Sequence, residues 1–178
     1  ISNRVAYENL MVQAKPERPS TIRDVLGPSR WIDVTGSVQE KWCPEEGDTV
    51  IDLLSTLRNA GCQPDLYIVT PFVIVQNKLR EKIRASGLLT EWVDKPESWV
   101  YEHVGTVHTV QGREAEAVIF VLGAQKQEQR GARGWAGGRP NLLNVATTRA
   151  KEAIYVVGNA NLWKNAGMFR HLHQKLVS

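Results

Sequence analysis

The sequence predicts an α/β domain of three layers, in which a mostly parallel β-sheet lies between helices on both of its faces. Two apolar runs, over residues 117–123 and 153–158, are continuous rather than alternating. Strands that are buried on both faces have this pattern, and such strands are typical of parallel sheets. A third apolar strand, Leu66–Thr70, leads directly into a helical pattern, and this order of strand and helix is the repeating unit of α/β folds.

Length and composition limit the class of protein. The 178 residues suffice for one domain with a core, and 42% apolar and 23% charged residues are ordinary for a globular protein. No apolar run approaches the roughly 20 residues that cross a bilayer, and the N-terminus lacks the pattern of a signal peptide. We therefore expect an intracellular protein, in the cytoplasm or in the nucleoid or nucleus, without a membrane partner.

From the N-terminus, we predict a helix over residues 3–14. An irregular connection is expected over residues 15–30, because Pro, Arg and Ser dominate there. A strand over residues 31–36 and a helix over residues 48–60 follow, and Gly61 closes that helix. The first half of the chain therefore has the same order of strand and helix as the second.

Two further helices are indicated by apolar residues that recur at helical spacing. The first follows the LYIVT strand, and its apolar face comprises Phe72, Val75, Leu79 and Ile83. The second covers residues 140–151, where Leu142, Val145 and Arg149 share one face. Arg149 therefore ends an apolar stripe, and a guanidinium held in this way can be presented to a neighbouring domain.

Residues 125–139 interrupt the α/β pattern with glycines that are interleaved with Arg130, Arg133 and Arg139. A segment of this composition buries little, so we predict a flexible Arg/Gly loop; such tracts also bind single-stranded nucleic acid. From residue 124 onwards, nine basic side chains face two acidic ones, a net charge of +7 against +3 for the whole chain. This basic third suits an anionic partner such as nucleic acid or phosphate, although a solvated surface is the simpler explanation.

The sequence lacks the residue patterns that are typical of several classes of catalytic and metal-binding site. The phosphate-binding pattern G-x-x-x-x-G-K-[ST] is absent, and no acidic pair follows a strand in the way that holds magnesium. Ser/His/Asp and Cys/His arrangements are absent too. The histidines and the two cysteines, Cys43 and Cys62, have no spacing typical of a metal site. We therefore expect the chain alone to be inactive as an ATPase and to hold no metal of its own.

Three polar motifs remain, and each lies beside a predicted buried strand. The first is Thr70-Pro71 at the end of the LYIVT strand, with Gln76 on the following helix. The second covers residues 105–114 and the third residues 143–151, each directly before an apolar strand. Functional loops of α/β folds lie at the carboxyl ends of parallel strands, so we expect all three motifs at that end of the sheet.

Together these motifs resemble those of the second RecA-like motor domain of superfamily one helicases, in the branch of the nonsense-mediated decay helicase. The family's fourth motif, I-T-P-Y-x-x-Q, is matched by residues 68–76 with one substitution in the strand and Phe72 for Tyr. Its fifth, T-V-x-x-x-Q-G-x-E, is matched by residues 106–114, and its sixth, L-N-V-A-x-T-R-A-K, by residues 143–151. A further pattern over residues 2–10, S-N-x-x-Y-x-x-x-L, extends the resemblance over nearly the whole chain.

The resemblance implies a single RecA-like domain over residues 1–178, the C-terminal half of a motor whose first RecA-like domain belongs to the same polypeptide. ATP and Mg²⁺ would bind in the cleft between the two domains, with the magnesium held mainly by the first. Hydrolysis would drive movement along single-stranded DNA or RNA in the five-prime to three-prime direction. The alternative is a non-catalytic nucleic-acid-binding module that retains the helicase fold.

The family's nucleotide contacts carry over onto this sequence residue by residue. Arg149 resembles the arginine finger that stabilises charge on the transferring γ-phosphoryl group, a role to which a planar guanidinium is suited. Gly112, Arg113 and Glu114 resemble contacts to the bound nucleotide, with Glu114 on the ribose hydroxyls. The simpler alternatives are that Arg149 pairs with Glu152 or Glu114, and that Glu114 caps nearby backbone groups.

Four residues match positions that meet the nucleic-acid strand, namely Thr70, Pro71, Thr106 and His108. Hydroxyl and backbone groups at the ends of strands suit contacts with phosphates, which carry no base information, as a translocating motor requires. An ordinary surface histidine is an equal alternative for His108. Trp135 matches an aromatic residue that precedes the sixth motif, and we expect it to pack in the core.

Overall fold

The computed structural model of the chain describes residues 21–109 and 114–177. The helix predicted over residues 3–14 lies outside these ranges. Five strands form one sheet in the order β1-β5-β4-β2-β3, and every neighbouring pair runs parallel. The strands are β1 (Arg30–Asp33), β2 (Leu66–Thr70), β3 (Val104–Thr106), β4 (Ala115–Val121) and β5 (Ala150–Gly158). The predicted α/β class with a parallel sheet is confirmed.

Helices cover both faces of this sheet. They are α1 (Thr21–Leu26), α2 (Pro44–Asn59), α3 (Val73–Ser86), α4 (Pro96–His103), α5 (Arg130–Gly137), α6 (Pro140–Arg149), α7 (Ala160–Trp163) and α8 (Phe169–Val177). Crossovers between parallel strands are right-handed, so the steps from β1 to β2 and on to β3 put α2, α3 and α4 on one face. The step from β4 to β5 runs the other way along the sheet, which puts α5 and α6 on the opposite face.

The core lies on both sides of β4 and β5, whose apolar residues are buried on either face. On the face of α7 and α8, the ring of Phe120 meets that of Phe169 edge to face at 5.8 Å, and Phe169 meets Trp163 at 4.8 Å. Trp163 also donates a hydrogen bond from its indole nitrogen to the carbonyl of Gly123, at 2.9 Å. The end of β4 is therefore fixed to α7 by a buried tryptophan whose polar atom is satisfied.

Local sequence explains where two of these helices begin and end. Pro44 occupies the first turn of α2, where its missing N–H has no partner to lose, so α2 begins four residues earlier than residue 48. Helix α3 ends at Gly87, which adopts a left-handed conformation with φ 68° that other residues rarely take. Its buried residues Val75, Leu79 and Ile83 belong to the predicted apolar face.

Two predicted irregular segments contain helices in their described residues. The connection expected over residues 15–30 contains α1, because Ile22 and Leu26, one helical turn apart, are both buried. Arg23 of α1 also forms an ion pair of 2.8 Å with Glu152. This pairing crosses 129 positions of the chain, so no local pattern could have indicated it.

The Arg/Gly loop predicted over residues 125–139 is also wrong as an irregular loop. A short 3-10 turn, Gln127–Gln129, leads into α5. The physical reason is Arg133, which is only 4% exposed. Its guanidinium donates to the carbonyls of Ala124 and Lys126 at 2.7 and 2.6 Å. One buried arginine therefore orders a glycine-rich segment by satisfying carbonyls that a loop would leave to water.

Candidate functional site

Parallel pairing brings the ends of the strands together at two opposite edges of the sheet. Thr70 at the end of β2 pairs with Thr106 at the end of β3, and we name this end the carboxyl edge. Ala115 at the start of β4 pairs with Ala150 at the start of β5, and we name that end the amino edge. Strand β4 has 7 residues, so the two edges are about 20 Å apart at about 3.3 Å per residue.

Glu114 and Arg149 lie at the amino edge, because each immediately precedes one of the paired residues Ala115 and Ala150. The expectation that all three motifs lie at the carboxyl ends of strands is therefore wrong for these two residues. Glu114 and Arg149 precede strands β4 and β5 in the chain, whereas Thr70 is the last residue of β2. The structure thus separates the predicted nucleotide residues from the predicted strand-binding residues.

Arg149 is the last residue of α6, and its Nε atom is buried without a hydrogen-bond partner in the described part of the chain. Neither of the carboxylates considered as alternative partners forms an ion pair with Arg149. Glu152 pairs with Arg23 at 2.8 Å, and Glu114 lies 3.9 Å from Nζ of Lys151. A buried guanidinium nitrogen without an acceptor costs free energy, so this geometry favours an acceptor that lies beyond the described residues.

The carboxylate of Glu114 is accessible to solvent. Its side chain is 57% exposed, and an ion pair of 3.9 Å with an equally exposed lysine contributes little to stability. Among the described residues, no backbone N–H donates a hydrogen bond to the Glu114 carboxylate. Gly112 and Arg113, the other predicted nucleotide contacts, lie outside the described residues.

The end of α6 is held by its own threonines. Thr147 donates to the carbonyl of Leu143 at 2.9 Å, and Thr148 donates to that of Asn144 at 2.7 Å. These bonds fix the last turn, from which Arg149 projects. The Oδ1 atom of Asn144 is, like Nε of Arg149, buried and without a partner in the described ranges. The sixth motif therefore carries two unsatisfied polar atoms on one helix.

At the carboxyl edge, Gln76 of α3 connects the fourth motif to the fifth. Its side-chain Oε1 accepts a hydrogen bond from the backbone N–H of Thr106 at 2.9 Å. The hydroxyls of Thr106 and Thr109 lie 3.2 Å apart, so the turn after β3 is closed by a small polar network. Gln76 is nearly buried, and this contact gives a physical reason for the glutamine in the fourth motif.

The predicted strand-binding residues differ in what they expose. Thr70 is 0% exposed, and its hydroxyl accepts a hydrogen bond from the backbone N–H of Phe72 at 3.3 Å. This bond holds the turn after β2, and contact between Thr70 and nucleic acid stays a prediction. Pro71 lines a cleft of about 450 Å³. Thr106 is partly exposed, and His108 is exposed.

His108 lines a second cleft at this edge, of about 710 Å³, together with Trp135 and Arg139. The expectation that Trp135 packs in the core is wrong, since its side chain is 43% exposed. The guanidinium of Arg139 lies over the Trp135 ring, 4.8 Å from its centroid. Neither Trp135 nor Arg139 was predicted as a site residue, because the surrounding glycines indicated a loop.

A buried carboxylate also lies near the carboxyl edge. Glu46 of α2 accepts hydrogen bonds from the backbone N–H of Gly123 at 2.9 Å and from the side-chain amide of Gln125. Burial raises the pKa of Glu46 to about 7. Gln125 in turn donates to the carbonyl of Val34 at 2.9 Å. This network joins α2, the end of β4 and the segment after β1, and no sequence motif indicated it.

Residues 21–109 and 114–177 contain neither a metal-binding cluster nor a helix that could span a membrane. No group of three or more His, Cys, Asp or Glu side chains in these ranges could hold a metal ion. Cys43 and Cys62 are free and buried, and burial raises the pKa of the Cys43 thiol to about 12. Within the same ranges, every helix is too short or too polar to span a bilayer.

The sequence matches one protein family and resembles two known proteins. A profile of the AAA domain family matches residues 2–161. The DNA polymerase alpha-associated DNA helicase A of Schizosaccharomyces pombe is 34% identical over 119 residues, which are 66% of this chain and 16% of that protein. The Regulator of nonsense transcripts 1 homolog of Drosophila melanogaster is 27% identical over 161 residues, which are 89% of this chain and 12% of that protein.

A solved structure, the C-terminal domain of a possible DNA helicase from Lactobacillus plantarum, superposes with a TM-score of 0.50 at 16% identity and 91% coverage of both chains. This likeness concerns the fold alone. The parallel sheet, with helicase motifs beside its strands, defines a RecA-like domain of the helicase class. The chain belongs to the AAA domain family, and its resemblance to superfamily one helicases of the nonsense-mediated decay branch is confirmed. It spans 12–16% of the length of the two relatives named above.

Proposed function

We propose that this chain is the second motor domain of an ATP-dependent helicase, which moves five-prime to three-prime along single-stranded DNA or RNA. The observation that carries the proposal is the buried Nε atom of Arg149, which has no acceptor among the described residues and lies at the same edge as Glu114. Such a function belongs in the cytoplasm, the nucleoid or the nucleus, where ATP and nucleic acid meet.

The nucleotide half of the mechanism belongs to the amino edge. ATP bound to the first RecA-like domain would present its γ-phosphate to Arg149, whose fixed planar fork stabilises charge that develops on the transferring phosphoryl oxygens. Glu114 would accept hydrogen bonds from the ribose hydroxyls, and Gly112 and Arg113 would contact the phosphates. No group of three or more His, Cys, Asp or Glu side chains among the described residues could hold a metal ion, and Mg²⁺ would be held mainly by the first domain.

The nucleic-acid half belongs to the carboxyl edge. Thr106 and His108 present a hydroxyl and an imidazole to solvent, and Pro71 forms the wall of a cleft beside them. Thr70 contributes indirectly, because its buried hydroxyl holds the turn that carries Pro71. Contacts of this kind reach the sugar-phosphate backbone, which is the same for every base sequence.

Strands β4 and β5 connect the two edges as rigid elements of the core. Closure of the interdomain cleft on ATP would move the amino edge, and the carboxyl edge moves with it because the sheet between them is fully packed. Hydrolysis releases that closure. Alternation between the two states would shift the bound single strand through the motor.

The experiment that tests this function compares the 178-residue chain with the full-length polypeptide that contains it. With ATP, Mg²⁺ and single-stranded nucleic acid, the chain alone should release no phosphate above background, because half of the site cannot perform the chemistry. The full-length polypeptide should turn over ATP and unwind a duplex with a five-prime overhang. Turnover by the isolated chain that Arg149→Ala abolishes would contradict the shared site. Strand binding without any turnover by the full-length polypeptide would favour the non-catalytic binding module.

A further inference from the structure

Trp135 is exposed in a place where the fold does not require an aromatic residue. It lies on α5 and is one of three large apolar side chains that are exposed in residues 21–109 and 114–177. The other two, Val73 and Tyr101, lie on α3 and α4. A tryptophan that is 43% exposed leaves much of its apolar area in water, and exposed apolar surface rimmed by polar residues is typical of interaction sites.

Trp135 lies between two clefts at the carboxyl edge. On one side, the cleft of about 710 Å³ is also lined by His108 and Arg139. On the other side, the cleft of about 450 Å³ is also lined by Lys41 and Pro71. Trp135 is the lining residue that the two clefts share, so a ligand that occupies both clefts contacts the indole.

The charges and rings around Trp135 fit a single strand of nucleic acid. The guanidinium of Arg139 lies 4.8 Å from the centroid of the Trp135 ring, and Nζ of Lys41 lies 5.4 Å from that of Phe72. The rings of Phe72 and Trp135 are 6.2 Å apart. Proteins that bind single strands combine cations for the phosphates with aromatic rings for the bases. Glu40, in the smaller cleft, is the one acidic residue in the lining of either cleft.

The backbone of α5 is also open to close approach. A Cβ atom at Gly134, which lines the larger cleft, would meet nothing within 4 Å, and the same holds for Gly131. Glycine is unfavourable inside a helix by about 0.5–1 kcal/mol relative to alanine. The fold therefore has no steric need for a glycine at position 134, whereas a strand that lies against the helix would be hindered by a methyl group there.

We propose that Trp135 is a platform on which a base of the single strand stacks, at the point where the strand passes from one cleft to the other. Arg139 and Lys41 bind the phosphates on either side of that base. The proposal rests on the proposed function, because it takes nucleic acid at the carboxyl edge as its starting point. Stacking on an indole accepts every base, so the platform holds the strand without reading its sequence.

The test measures binding of labelled single-stranded oligonucleotides to the full-length polypeptide by fluorescence anisotropy, without ATP. Trp135→Ala should raise Kd roughly 5- to 150-fold, which corresponds to a stacking contribution of about 1–3 kcal/mol per base. Trp135→Phe should retain most of the affinity because it keeps a ring. The dependence of Kd on salt should not change, since no phosphate contact is removed.

An oligonucleotide with abasic sites separates stacking from a structural effect. The wild-type protein should bind it as weakly as Trp135→Ala binds the normal oligonucleotide, and Trp135→Ala should not distinguish the two. A matched glycine pair gives a second control, in which Gly134→Ala should weaken binding and Gly131→Ala should not. Neither alanine should lower the thermal stability of the protein.

The outcomes distinguish the platform from the function on which it rests. If the wild-type protein binds no single strand, the proposed function fails. If it binds strands with strong salt dependence but neither Trp135→Ala nor abasic sites change Kd, only the platform is overturned. If Trp135→Ala leaves strand binding intact and lowers ATP turnover in the absence of nucleic acid, the surface contacts the first domain, and this also overturns the platform.

Discussion

The side chain of Gln76 on α3 accepts a hydrogen bond from the backbone N–H of Thr106 at the end of β3, at 2.9 Å. The two residues belong to different motifs and lie 30 positions apart in the chain. Because β2 and β3 are neighbours in the sheet, the helix that follows β2 can reach the turn that follows β3. Gln76 therefore positions the exposed groups of the fifth motif.

Gln76→Ala should weaken single-strand binding by disordering the turn after β3, and it should lower the free energy of unfolding by about 1 kcal/mol, the usual contribution of one hydrogen bond. Gln76→Glu keeps the acceptor oxygen and should preserve much of the stability. Glu81→Ala is the control and should change neither quantity, because Glu81 is an exposed residue of the same helix and its 3.9 Å surface ion pair with Lys78 contributes little. Oligonucleotide titrations and urea unfolding measure the two effects. Equal binding by Gln76→Ala and the wild type would remove Gln76 from the site.

Arg149→Ala in the full-length polypeptide should lower kcat on the order of 10³- to 10⁵-fold while nucleotide affinity changes little. The guanidinium interacts most strongly when charge moves onto the γ-phosphoryl oxygens, so its loss affects the transition state more than the ground state. Arg149→Lys should not restore the rate, since an ammonium lacks the planar fork. Steady-state ATPase assays at saturating nucleic acid provide the measurement. Lys151→Ala, an exposed neighbouring cation, should remain near the wild-type rate, and the same rate in Arg149→Ala would exclude a catalytic role.

Glu114→Ala should have the opposite kinetic signature, with a raised KM for ATP and a kcat close to wild type. A ribose contact is made equally in the ground state and the transition state, so its loss weakens binding without slowing the chemistry. Assays with ATP and with 2′-deoxy-ATP check the assignment. The wild type should prefer ATP, and Glu114→Ala should lose that preference. If Glu114→Ala lowers kcat as strongly as Arg149→Ala does, the residue contacts the reacting phosphate and not the ribose.

Glu46 should make the stability of the domain fall as pH rises from 4.5 to 7. Burial raises the pKa of Glu46 from its ordinary value of 4.5 to about 7, so the folded state holds this proton more tightly than the unfolded state. The contribution to stability is complete below pH 4.5 and is lost as pH rises through 7, a change of roughly 3 kcal/mol at most. The thiol of Cys43, which interacts with Glu46, has a pKa of about 12 and stays neutral throughout.

Urea unfolding between pH 4 and pH 8 measures this slope. Glu46→Gln should flatten it, because the amide keeps an acceptor for the Gly123 N–H and carries no charge. Glu45→Gln serves as the neighbouring control and should keep the slope above about pH 4.5, where the contribution of Glu45 is already complete because its pKa is lowered from 4.5. Hydrogen bonds from the backbone of Glu45 itself and of Ser37 lower the pKa of Glu45, so its own contribution has the opposite sign. A slope in Glu46→Gln equal to that of the wild type would assign the pH dependence to another group.

The sequence by itself determined the class of fold and the identity of the motifs. The runs over residues 117–123 and 153–158 are apolar on both faces, and only burial between two layers of helices suits them. The stripe that ends at Arg149 likewise predicted α6, because helical periodicity is a local property that needs no tertiary contact.

Tertiary structure decided what distant residues contribute. Arg133 orders α5 through carbonyls of the segment before it, and Ile22 makes α1 helical only because its side chain is buried against the rest of the domain. The exposure of Trp135 depends on the formation of α5, which the sequence did not predict. The separation of Arg149 from Thr106 follows from whether each residue precedes or follows its strand in a parallel sheet. Periodicity and composition depend on residues that are neighbours along the chain. The order of the strands and the edge at which each residue lies depend on contacts between residues far apart in sequence, so they can be determined only from the folded structure.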